Sequence, residues 1–99
     1  MTDDMAGTVL LTGRCKRRRH VMFQVVDTGS SLVIDAPLRA VGRESETWTP
    51  ERRPLELGRA SRYGCPCRTT AVPGDHQMME RIRRGDSEWV IAAINISLR

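Results

Sequence analysis

Three cysteines and one histidine are the residues in this sequence best placed to do chemistry. Cys65 and Cys67 flank Pro66 in the run Tyr63-Gly64-Cys65-Pro66-Cys67, and far upstream Cys15 stands five residues before His20. Three thiolates and an imidazole are the donor set of a structural zinc site, which takes four soft or borderline ligands in a tetrahedron. In Cys65-Pro66-Cys67 two sulfurs come within reach of one ion, with Pro66 restricting the turn and Gly64 letting the backbone bend ahead of it. Cys15 and His20 then supply the other half, and His76 is available as an alternative fourth ligand. The plainer reading makes the cysteines small hydrophobes, the usual fate of scattered thiols in a reduced protein.

The same upstream segment is strongly basic. Arg14, Lys16, Arg17, Arg18 and Arg19 fall within six residues of a chain whose formal net charge is +4. Such a block suits a polyanion, either nucleic acid or an acidic protein surface. A solvated loop that keeps a small protein soluble is the bland account of the same run. Trp48 and Trp89, with Met78 and Met79, are candidate contacts for a protein partner, although a Trp folded onto a sheet as its lid is the commoner use of so large a side chain.

No catalytic constellation stands out, so an enzyme is not expected. Cys15 and His20 lack a recognisable orienting group, and neither a phosphate-cradling glycine loop nor a pair of carboxylates in an apolar setting is present. Three cysteines cannot all pair within one chain, and the acidic opening Met1-Thr2-Asp3-Asp4 is unlike a secretory signal, so a reduced, cytoplasmic setting is expected. No apolar run is long enough to span a membrane.

Ninety-nine residues with one Phe, one Tyr and two Trp make a single small core, for which a metal clamp would be useful. Residues 8–12, 20–27 and 31–35 read as strands of an antiparallel meander whose first connection carries Cys15 and the arginines. Pro37, Pro50 and Pro54 forbid a long helix between residues 36 and 60, and the charged stretch around Trp48 reads as an excursion. Short strands on either side of Cys65 and Cys67 would complete a ribbon. Residues 76–84 suit a helix, with Asp75 as its cap and Gly85 as its stop, and residues 86–94 suit a second. The expected fold is therefore α+β, a small antiparallel sheet over residues 1–74 followed by a C-terminal helical hairpin over 75–99.

Two resemblances sharpen this. Thr12-Gly13-Arg14-Cys15 followed by Tyr63-Gly64-Cys65-Pro66-Cys67 resembles the small zinc-ribbon-like proteins of actinobacteria and their phages, which carry G-x-C-x-x-C in a first turn and C-x-C later. The chain matches at Cys15, Cys65 and Cys67 and departs at Arg18, where that pattern has a cysteine. Residues 79–97 are similar to the first helices of a helix-turn-helix, with Asn95 at its turn and Ser97 as a cap, but no recognition helix follows. Together they imply a small zinc-binding, nucleic-acid-associated or transcription-regulatory protein. The competing expectation is a protein-interaction module without nucleic-acid binding, either a phage-type modulator of a host protein complex or a component of a larger assembly.

Overall fold

Branched and aromatic residues concentrated in residues 8–35 make strands the favoured state there. The computed structural model describes residues 7–40, 48–66 and 70–91, and of residues 38–40 and 48–49 the backbone only. The elements run β1 (Thr8–Cys15), β2 (Val21–Asp27), β3 (Leu32–Ala40), β4 (Trp48–Pro54), β5 (Tyr63–Gly64), β6 (Thr70–Ala71), α1 (Asp75–Arg83) and β7 (Glu88–Ile91). β1, β2, β3 and β4 pair antiparallel in succession, with Thr12 opposite Gln24, Val25 opposite Ile34 and Ile34 opposite Arg53. β7 lies parallel on the far side of β1, placing Trp89 beside Gly13 and Ile91 beside Cys15. These five strands make one mixed sheet. β5 and β6 form a short ribbon that, among the described residues, joins it through a single pair, Tyr63 with Arg39.

Leu11, Phe23, Val25, Ile34, Tyr63, Met78 and Ile91 are sealed from solvent in the core. Phe23 is its hub, with ring centroids 5.3 Å from Tyr63 and 6.1 Å from Trp89. That position requires a glycine across the ladder: Gly13 pairs with Phe23, and a Cβ on Gly13 would stand 2.3 Å from the Phe23 ring. α1 closes the core through Met78 and Ile82. It ends at Arg83 and is stopped, as the sequence says, by Gly85 with φ 90°, whose amide and that of Asp86 donate to the carbonyls of Ile82 and Arg81 in a Schellman turn.

The fold corrects several expectations. The protein is mostly β with a single short helix among its described residues, rather than a sheet followed by a helical hairpin. The segment expected to be the second helix supplies β7, because Trp89 and Ile91 find a core face to bury when extended along β1. One helix and one strand cannot make the two helices of a helix-turn-helix. Asn95 and Ser97 lie outside the described residues. β4 occupies the stretch read as an excursion; Pro50 and Pro54 are tolerated because, among the described residues, β4 pairs with β3 alone and edge strands can spare backbone donors. Pro37 sits where the β3–β4 register shifts between Ala36 and Arg39, another place that accepts proline. Nor is Asp75 the helix cap. Gly74 holds that position, its amide donating to Gln77 Oε1 at 2.8 Å, while the Asp75 side chain turns inward.

Candidate metal centre

The β1–β2 connection is tied at both ends. Cys15 N donates to His20 O at 3.0 Å and Arg19 N donates to Cys15 O at 3.0 Å, with Arg19 in the left-handed region at φ 61°. Arg14 braces the outside of the turn, donating to Arg19 O at 3.0 Å and to Glu88 Oε2 at 2.7 Å. Lys16 N donates to Ile91 O, which fixes the start of the turn to the end of β7. Cys15 and His20 thus face each other across the base of the turn, with Sγ 3.9 Å from Nδ1. Arg18 N lies 3.4 Å from Cys15 Sγ and donates to it, an outer contact that orients the sulfur.

Cys65 arrives from the other side of the chain by a topological route. β4 holds one edge of β3 from Val33 to Ala40, so Tyr63 can reach Arg39 only along the edge that β2 vacates beyond Gln24 and Asp35. That path delivers Cys65 to the turn. The ligand atoms of Cys15, His20 and Cys65 all lie within 4.8 Å of one another, close enough to hold a metal ion. A tetrahedral zinc sets sulfur-to-nitrogen separations of about 3.6 Å and sulfur-to-sulfur separations of about 3.8 Å, so only a small contraction is needed. Cys15 and Cys65 are buried and His20 is half-buried, the environment of a structural site rather than of a surface chelate. Cys67 lies outside the described residues. His76 is exposed at the start of α1 and is not one of the converging residues.

The basic run divides in two. Arg14 is occupied by Glu88 and the Arg19 carbonyl, whereas Lys16, Arg17, Arg18 and Arg19 are exposed on the turn itself. Arg17, Arg18 and His20, with Pro66 from the Cys65 side, line an open concavity. The candidate protein contacts fare differently. Met78 is wholly buried, and Trp89 is half-buried, edge-on to Phe23 and covered by the Arg81 guanidinium at 4.2 Å. The Trp48 side chain is outside the described residues.

Sequence reasoning missed a second convergence. Arg53 on β4 donates from Nη1 to Asp75 Oδ2 and from Nη2 to Asp75 Oδ1, both at 2.8 Å, in a pair that is 6% and 0% exposed. Arg53 also donates to Ser61 Oγ, Tyr63 Oη and the Pro54 carbonyl, and Glu56 N donates to Asp75 Oδ2. The Asp75 hydrogen bonds push the Arg53 pKa up, and burial pushes that of Tyr63 up. No buried side-chain nitrogen or oxygen among the described residues lacks a partner. Nothing in the sequence pairs Arg53 with Asp75; an acidic residue opening a helix reads as a cap.

Among the described residues no helix is long and apolar enough to cross a membrane. Comparison with the profiles of known families, with characterised proteins and with solved structures gives no match, so the centre is read from its own geometry.

Proposed function

We propose that this protein is a small binding module in which a zinc ion held by Cys15, His20 and Cys65 fixes a basic turn that contacts the phosphates of nucleic acid. The observation that carries the reading is the convergence itself: two of the three ligands bracket Lys16, Arg17, Arg18 and Arg19, so holding the metal and displaying the cations are one structural act. Thiolates with an imidazole favour zinc over the oxygen-seeking cations. Cys67 is the natural fourth ligand by sequence.

Native mass spectrometry comes first: a single zinc per chain is expected, lost in Cys15→Ser and Cys65→Ser and kept in His76→Ala. Binding to a labelled oligonucleotide should then weaken with salt, and changing Arg17, Arg18 and Arg19 together to Ala should lower the slope of log affinity against log salt by about 2 to 3. Affinity that is indifferent to salt, or absent throughout, overturns the nucleic-acid reading. An apolar protein-contact surface has less support, because Met78 is in the core and Trp89 is engaged by Phe23 and Arg81.

A further inference from the structure

We infer that the concavity lined by Arg17, Arg18, His20 and Pro66 is a phosphodiester-binding subsite whose assembly depends on the metal. This rests on the nucleic-acid reading and adds to it both the place of contact and its control. The walls of the concavity come from segments far apart in the chain. Arg17, Arg18 and His20 belong to the β1–β2 turn, whereas Pro66 follows Cys65 at the end of β5. Among the described residues the backbone pairing between the β5–β6 ribbon and the main sheet is the single pair of Tyr63 with Arg39. Strand pairing and the burial of Tyr63 against Phe23 bring Cys65 to the turn, and an ion held by Cys15, His20 and Cys65 would tie the two walls to each other directly.

Both sides of the metal centre couple to the concavity at close range. Arg18 donates its own amide to Cys15 Sγ, so the backbone of one arginine in the concavity is hydrogen-bonded to a residue that would hold the metal. His20 is at once a ligand and a wall. On the opposite side Pro66 is bonded directly to Cys65. The wall of the concavity includes two arginines, Arg17 and Arg18, whose guanidinium forks match the oxygens of a phosphate. An anion seated there binds the metal-loaded protein better than the metal-free protein, and by linkage it tightens the hold on the metal by the same factor.

The test uses the full chain, zinc-loaded or treated with a chelator, and fluorescence anisotropy of a short labelled single-stranded oligonucleotide. Chelation is expected to weaken binding at least about tenfold, and Arg17→Ala with Arg18→Ala to remove most of that difference. Circular dichroism follows the fold throughout. Where chelation unfolds the chain, zinc-loaded Pro66→Glu decides: a carboxylate in the concavity should weaken binding about fivefold or more, while Leu57→Glu, at a site 64% exposed elsewhere, should not. Equal affinity of the loaded protein and of a folded, zinc-free protein, or equal effects of the two glutamates, overturns the inference and leaves the nucleic-acid reading standing. Absence of oligonucleotide binding by the loaded wild-type protein overturns both.

Discussion

Two places in this molecule gather polar side chains from distant segments, and they do so in opposite ways. Around Asp75 no buried side-chain nitrogen or oxygen of the described residues lacks a partner: the Arg53 fork fits both carboxylate oxygens, and Ser61, Tyr63, the Pro54 carbonyl and the Glu56 amide complete the shell. Around Cys15 the arrangement is different. Two sulfurs and an imidazole nitrogen crowd within 4.8 Å, all of them carrying electron pairs that a metal could accept. The first cluster is closed by protein atoms alone. The second has a donor set close enough to hold a metal ion. Convergence by itself therefore says little about function; the chemical signs of the converging atoms say more.

Breaking the closed cluster should have the largest effect. Arg53→Ala or Asp75→Ala leaves its partner charged and buried, at a cost of about 3–5 kcal/mol, which chemical denaturation would report as a large fall in midpoint. Replacing both by apolar residues of similar volume should recover much of that loss, because the desolvation of the pair disappears with it. Recovery would show that the network sets the geometry of β4 against α1 more than it sets net stability.

The metal cluster should respond to an added ion where the closed cluster does not. Zinc at a hundredfold excess over its dissociation constant raises the unfolding free energy by about 2.7 kcal/mol if only the folded chain binds it. That increment should vanish in Cys65→Ser and persist undiminished in Tyr63→Phe, measured by denaturation with and without zinc. An equal increment in Cys65→Ser would place the ion elsewhere.

Alkali probes the closed cluster through Tyr63, the only tyrosine in the chain. Burial raises its pKa above the ordinary 10.0, outweighing the Arg53 charge that pulls it down. Above that ordinary value the unfolded chain has given up the phenolic proton while the folded chain still holds it. Folding stability contributed by this group is therefore complete below pH 10.0 and is lost as the pH rises through the folded value. Phenolate absorbance should appear later in the folded protein than in denaturant. The smallest effect is expected from Glu56→Gln, which removes the exposed ion pair with Arg59 at a cost of about 0–1 kcal/mol and serves as a control for both clusters.

The convergence of Cys15, His20 and Cys65 was legible because its signal is local. Cys15 and His20 bracket a short turn, and Cys65 follows a glycine at a strand end, so residue type and spacing were informative before any fold was known. The first three strands were legible for the same reason. β7 was not, since Trp89-Val90-Ile91 serves helix and strand alike and only the vacant side of β1 decides between them. β4 was hidden by its prolines, whose tolerance depends on a position at the sheet edge that no local pattern announces. Arg53 and Asp75 were invisible as a pair because ion pairing across the core has no sequence period at all.

The parallel seam between β1 and β7 also sets a timetable. β1 leaves the ribosome before every other strand described, whereas the strand that covers its far side, β7, runs to Ile91 and is the last of them to do so. Until then β1 presents open backbone groups along that edge, next to side chains such as Leu11 that the finished core conceals. A nascent chain held at that stage is a template for any other extended segment nearby, and the basic turn at its tip is already outside. Synthesis thus leaves a period in which this protein is sticky and charged but not yet closed, and the arrival of a four-residue strand ends it.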